Sequence, residues 1–220
     1  MRAPSSTVFD LDGTLLDGDS ATAWMIGRIR RSWSRTAIAI AAAPIAGLLM
    51  ARSRTRRWGA SIGLWIASAG QNEAELRASF DAFAEGINRG EGPIAWRAAG
   101  LEALRGHVGR EESVIIATAA PAWLAERLIE GLNLPTIAVV GSTLGPWRGG
   151  WIGVRHCRHQ AKCDALAAAG HGRRWAVAYS DSADDLPLLA LADRACLVNG
   201  SETTLARFAK AGVAVEAMSW

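Results

Sequence analysis

Short apolar runs rich in β-branched residues recur along this 220-residue chain, and each is followed by an Ala/Leu-rich stretch with helical period. Continuous apolar runs of four to six residues read as buried strands, and the longer periodic stretches between them read as helices. The strands predicted in this way span 7–11, 114–118, 137–140, 175–179 and 195–198, with 213–217 as a last candidate. A Gly/Trp segment at 145–154 reads as a hairpin. Helices are predicted near 93–107, 121–130, 160–169 and 184–192, with a last one before 213. Alternation of this kind implies a parallel sheet covered on both faces, a Rossmann-like α/β fold. Residues 19–92 interrupt it: they read as helical throughout, broken by Pro44 and by glycines. The expected organisation is a core of residues 1–18 and 93–220, with a helical cap of residues 19–92 inserted after the first strand.

Charge and cysteines constrain partners and compartment. Of the 24 basic residues 22 are arginine, set against 21 acids. This small excess reads as compositional bias and gives no reason to expect a nucleic-acid partner. The three cysteines, Cys157, Cys163 and Cys196, make no disulfide framework and fit a reducing compartment. Residues 1–6 contain no apolar export segment, so the catalytic machinery is expected to face the cytoplasm.

In open α/β sheets ligands bind beyond the carboxyl ends of the strands, and the polar residues of this sequence fall there. Asp10 and Asp12 close the first strand. Alternation puts both carboxylates on one face, and Gly13 then lets the chain turn. Two adjacent carboxylates suit Mg²⁺, which prefers oxygen ligands, and they suit covalent catalysis in which one attacks and the other moves protons. Asp-Gly is also ordinary turn chemistry. Thr118 ends the second apolar run just before a helix that starts at Pro121, a place for either a phosphate or a simple N-cap. Lys162, one of only two lysines, stands near a helix start. There it is either a point charge for a phosphoryl oxygen or a solvated surface residue. After the 175–179 strand come Asp181, Ser182, Asp184 and Asp185; three acids in five residues repel one another without a cation or donors.

The ordered set resembles the four motifs of the haloacid dehalogenase-like hydrolase superfamily over essentially the whole chain: Asp10-Leu11-Asp12-Gly13-Thr14, then Thr118, Lys162, and Asp181 with Asp185. The resemblance implies that Asp10 attacks phosphorus while Asp12 protonates the leaving alcohol and later deprotonates water. It implies that Mg²⁺ is held by Asp10, the Asp12 carbonyl and Asp181. Asp185, with Ser182 or Asp184, supports that shell, and Thr118 and Lys162 hold the phosphoryl oxygens. Dehalogenases lack the acid at position 12, so the resemblance favours a phosphatase or phosphomutase.

The cap carries a 16-residue uncharged run at 36–51, flanked by Arg28, Arg30, Arg31 and Arg35 before it and Arg52, Arg54, Arg56 and Arg57 after it. As a helix it spans about 24 Å, short of the roughly 30 Å hydrocarbon core. Arginines on both sides give no positive-inside asymmetry. The run reads as an interfacial or re-entrant element, its arginines facing anionic headgroups and Trp24, Trp33, Trp58 and Trp65 at the interface. The other reading is a soluble helix buried against its neighbours.

With the 155–162 segment and 179–182, the cap resembles the phosphatidylglycerophosphatase C branch of the superfamily. That branch implies a lipid phosphate, phosphatidylglycerophosphate converted to phosphatidylglycerol, and attachment to the inner membrane. Arg52, Arg56, Arg57 and His159 are the candidate headgroup contacts. A soluble-metabolite enzyme resembling phosphoserine phosphatase, and a catalytically silent membrane-binding protein, are the alternatives. His156, Cys157, His159 and Cys163 have spacings that zinc can use, but no second Cys-x-x-Cys pair accompanies them.

Overall fold

The structure, a computed structural model, describes residues 6–51, 56–135 and 137–220; of Met50, Arg56 and Arg57 only the backbone is described. Strand β1 (Ser6–Phe9) lies at the centre of a seven-stranded sheet, between β2 (Ser113–Pro121) and β5 (Trp175–Ser180), and is parallel to both. Beyond β2 comes β3 (Ala138–Trp147), also parallel, and beyond β5 come β6 (Ala192–Val198) and β7 (Glu216–Met218). The remaining edge is β4 (Gly150–Arg155), antiparallel to β3 and joined to it through Arg148 and Gly149 at φ 44° and 78°. Positive φ at both central positions is the geometry of a tight hairpin turn.

Side-chain alternation along the central strands splits the core in two. Val8, Ile115, Ala117 and Ala178 face Cys163 and Leu166 of α7 (Gln160–Ala168) and Leu188 of α8 (Leu186–Leu189). Phe9, Val114, Ile116 and Tyr179 face the other way, onto Leu104 of α5 (Ala98–Gly109) and Leu124 and Leu128 of α6 (Ala122–Glu130). Phe9 and Tyr179 stack across neighbouring strands, 4.4 Å between centroids and 8° apart in plane. Each fully buried side chain of this size is worth about 1.5–3 kcal/mol over exposure, and the parallel strands have both faces covered. A last helix, α9 (Glu202–Lys210), buries Phe208 against Leu197.

Four helices are strung between β1 and α5: α1 (Ser20–Arg30), α2 (Trp33–Met50), α3 (Arg56–Ser68) and α4 (Glu73–Asn88). Asp19 caps α1 by accepting from Thr22 N, and Asn72 and Glu75 form a reciprocal capping box on α4. Trp24 of α1 packs on Phe80 of α4 with ring centroids 4.7 Å apart. The β3–β4 hairpin is fastened to α3 and the loop after it. Trp151 N donates to Ser68 Oγ (2.9 Å), Trp151 Nε1 to Gln71 O (3.0 Å), Trp65 Nε1 to Trp147 O (3.0 Å) and Gly70 N to Gly149 O (2.7 Å).

Several expected boundaries shift. The chain breaks at Arg31–Ser32, where Ser32 turns extended and caps α2, and not at Pro44, which sits inside α2. Proline removes the bond to the carbonyl four residues back. That carbonyl belongs to Ile40, a residue 70% exposed, so water can take the place of the missing N–H. The helix expected from residue 93 starts at Ala98, after a bend at 92–94 and an isolated bridge from Trp96 to Leu16. The expected last strand, 213–217, is shorter and lies later in the chain, as β7.

Candidate active site

Beyond the carboxyl ends of β1, β2 and β5, Asp10, Asp12, Thr118, Lys162, Asp181, Ser182, Asp184 and Asp185 line one cavity of about 290 Å³. The segment after β1 is shaped by Gly13 at φ +79°, which lets Leu15 N and Leu16 N both return to Leu11 O (2.9 and 3.0 Å). A Cβ at position 13 would stand 2.2 Å from Asp181 Oδ2, so only glycine allows the backbone this close to that carboxylate. Thr14, fully buried, ties the two segments together: its Oγ1 accepts from Asp181 N (3.0 Å) and lies 3.4 Å from both Asp10 Oδ2 and Asp181 Oδ1.

Lys162 is presented by the first turn of α7 and is 2% exposed. Its Nζ donates to Asp10 Oδ1 at 2.8 Å and to Asp185 Oδ2 at 2.6 Å. Ser180 Oγ donates to the same Asp185 oxygen at 2.8 Å. Burial disfavours the ammonium, but attraction and hydrogen bonds from both carboxylates outweigh it and raise its pKa, so Lys162 stays charged. Burial pushes Asp10 up to about 8, against the pull of Lys162. Asp12 goes up to about 7, through burial and the neighbouring Asp19, opposed by a 2.8 Å bond from Ser20 N to its Oδ1. Asp181 is raised as well, again mainly by burial. Thr118, fully buried, accepts from Ala120 N at 3.0 Å, which leaves its O–H to donate.

Three carboxylates lifted by desolvation, Asp10 buried and Asp12 and Asp181 partly so, with one ammonium among them, are short of positive charge. The donor set fits Mg²⁺, which takes one or two carboxylates and completes its shell with carbonyls, water and substrate. Among the described residues no three His, Cys, Asp or Glu side chains gather as a metal cluster. Asp10 and Asp181, drawn together through Thr14, and the backbone at Asp12 are the groups that could hold the ion.

Other expected residues are placed elsewhere. His159 is exposed at the start of α7, with φ +51° and its Nε2 3.8 Å from Asp184 Oδ2 at the mouth of the cavity. Arg52 and the side chains of Arg56 and Arg57 lie outside the described residues. Cys157 and Cys163 are buried, and burial pushes both thiols up to about 11, so they are protonated and poor metal ligands at neutral pH.

Residue reading along the chain does not single out Asp19, which lines the cavity and acts on Asp12, or Thr14, whose hydroxyl joins two segments 167 residues apart. An Asp directly before a helical stretch is the local signal that can mark Asp19, as an N-cap. Arg158 also lines the cavity and donates to Asp184 Oδ2 at 2.6 Å.

Comparison with known proteins fits this geometry. The profile of the haloacid dehalogenase-like hydrolases matches residues 7–190, from β1 past the last acidic cluster. The chain belongs to the haloacid dehalogenase-like hydrolase family. It is 29% identical over 198 residues to the protein CicA of Caulobacter vibrioides, covering 86% of this chain and 84% of that one. Among solved structures, a protein of unknown function from Bordetella pertussis Tohama I superposes with a TM-score of 0.74 at 21% identity, covering 96% of each chain. A phospho-aspartyl intermediate analogue of phosphoserine phosphatase superposes with a TM-score of 0.54 at 15% identity, covering 99% of this chain and 94% of that one. These likenesses show a shared fold. The chain is a hydrolase of this family.

Proposed function

We propose that this chain hydrolyses a phosphate monoester through an aspartyl-phosphate at Asp10, with Mg²⁺ bound, and that the ester is a lipid phosphate met at an anionic membrane surface. The observation that carries the chemistry is the Asp10–Lys162–Asp185 bridge opposite Asp12, inside a cavity sized for a phosphate headgroup. One Asp10 oxygen forms a bond to phosphorus as the ester P–O bond breaks, and the Asp12 carboxyl gives its proton to the leaving oxygen. Asp12, now a carboxylate, takes a proton from water as the water oxygen attacks phosphorus and the Asp10–phosphorus bond breaks. A group lifted to about 7 is suited to both proton transfers at neutral pH. Lys162 and Thr118 would hold phosphoryl oxygens as charge moves. Mg²⁺, held by Asp10, Asp181 and the Asp12 carbonyl, would supply charge neutralisation.

Support for a lipid comes from the cap helices α1–α4. Among the described side chains of α2 none is buried; Trp33, Ile40, Ile45 and Leu48 are 85%, 70%, 61% and 61% exposed, and Arg35 is the helix's one charge. An exposed apolar helix of this length, flanked in sequence by arginines, suits an interfacial element. No single helix among the described residues is long and apolar enough to cross a membrane, and α1 with α2 forms a pair bent by 119°. A second reading, a soluble phosphometabolite, is favoured by the polar walls of the catalytic cavity.

Phosphate release from phosphatidylglycerophosphate in mixed micelles, beside phosphoserine and an aryl phosphate, with Mg²⁺ or EDTA, separates the two. Mg²⁺-dependent release from the lipid alone supports the first reading, and release from the soluble esters alone supports the second. Asp10→Asn with undiminished turnover would rule out the aspartyl-phosphate.

A further inference from the structure

A second cavity, of about 270 Å³ and sharing no wall residue with the catalytic one, lies between α1, α4 and the loop 91–93. Two donors that find no partner belong to its walls. Trp24 is 2% exposed and its Nε1 makes no hydrogen bond; Arg28 has a buried Nε that makes none either. Arg31, three residues on, stands on the same side of the helix. Buried N–H groups are nearly always paired, so two unpaired donors on one cavity call for an acceptor inside it. Gly27 and Gly86 keep the space open, since a Cβ on either would meet nothing within 4 Å.

Charge points the same way. Residues 20–72 contain eight arginines and no acid. Among the described residues none of Arg28, Arg30, Arg31 and Arg35 forms an ion pair, whereas Arg77, Arg89, Arg110, Arg127 and Arg158 all do. The one carboxylate on the cavity wall, Glu91, is engaged by Arg89 Nε at 3.0 Å. Burial, then Arg35 and Arg31, lowers the pKa of Arg28, the sign of uncompensated positive charge. Basic residues in the last turn do answer the negative end of α1. That accounts for some of the charge and leaves the indole N–H unexplained.

We propose that this cavity is an anion-binding site, in which Trp24 Nε1, Arg28 and Arg31 hold the oxygens of a phosphate group, separately from the hydrolytic centre. A phosphodiester headgroup and a free phosphate ester offer the same oxygens. The arms of the test distinguish them.

Protein labelled with ¹⁵N at its indoles gives one resonance for each of its ten tryptophans, and Trp24→Phe assigns that of Trp24. EDTA is present throughout, so the carboxylate-lined catalytic cavity repels anions. Inorganic phosphate, glycerol phosphate and short-chain phosphatidylglycerol micelles are each titrated, and the Trp24 resonance is expected to move downfield. Arg28→Gln with Arg31→Gln is expected to raise the half-saturating concentration about tenfold or more, as expected for loss of charge-assisted bonds. Gly86→Leu, which fills the space from a helix interior, is expected to abolish the shift. Movement with the soluble phosphates as well as the micelles assigns a small-anion site; movement with the micelles alone assigns a headgroup site. A Trp24 resonance that moves with none of them, or that moves equally in the doubly substituted protein, overturns the proposal.

Discussion

Lys162 shows how much one residue can decide here. It is the one cation within hydrogen-bonding reach of Asp10 and the one that separates Asp10 from Asp185 among the described residues. Removing one partner of a buried, hydrogen-bonded charge group costs about 3–5 kcal/mol, because the other charges stay buried. Lys162→Met is therefore expected to lower stability by about that amount, read from the urea midpoint, and kcat by about 10²–10³. Lys162→Arg should recover little of either, since a planar fork cannot replace a compact ammonium between two carboxylates less than 3 Å from it. Glu112 makes a different case. Partial burial works against its charge, but bonds with His107, Arg110 and Thr7 outweigh that and hold the carboxyl down at about 2. A depressed carboxyl adds stability that is complete above its ordinary value of 4.5 and is lost as pH falls toward 2. Thermal melts from pH 7 to pH 2 should show this loss in the parent chain. Glu112→Gln should start lower at pH 7 and decline less over the acid range.

At the scale of elements, what the sequence displayed was period and punctuation. The strands around Asp10, Thr118 and Asp181 announce themselves as apolar runs, because a parallel strand buried on both faces must be apolar at every position. Contacts made through space left no such trace. Thr14 bonding to Asp181 N, and Ser68 receiving Trp151 N, join segments 167 and 83 residues apart; the motif at 10–14 contains Thr14 without showing what it bonds, and nothing near Ser68 marks it. Pro44 misled for a physical reason: its defect is a missing N–H, harmless where the orphaned carbonyl is wet. Ser68 is where the hairpin's attachment is most open to test. Its buried hydroxyl donates to Leu64 O at 2.7 Å and accepts from Trp151 N at 2.9 Å. Ser68→Ala leaves the Trp151 N–H without a partner and is expected to cost about 1–3 kcal/mol. Urea denaturation checks the cost, and hydrogen exchange at Trp151 should quicken relative to β1.

Across the whole molecule, charge is divided by function. Six aspartates, Asp10, Asp12, Asp19, Asp181, Asp184 and Asp185, line the catalytic cavity, while the first three helices and their connections carry only arginine. An anionic surface is thus repelled by one region and attracted by the other, which would turn the molecule helices-first as it approaches. If the exposed face of α2 then enters the interface, each large apolar side chain buried adds about 1.5–3 kcal/mol, and a single charge placed there removes more than its own share. Ile40→Asp is therefore expected to weaken partition onto phosphatidylglycerol-containing vesicles by tenfold or more, about 1.4 kcal/mol. Hydrolysis of a soluble aryl phosphate should be unchanged, because Ile40 is solvent-exposed and no residue of α2 lines the catalytic cavity. Neutral vesicles should bind the parent chain poorly, and salt should weaken binding to the anionic ones. Co-sedimentation across that set reads all three arms at once. Equal pelleting of the Ile40→Asp and parent chains would mean that the arginines act alone and α2 stays in water. Pelleting of neither would return α2 to the role of a bare apolar helix and leave the soluble phosphoester as the substrate to pursue.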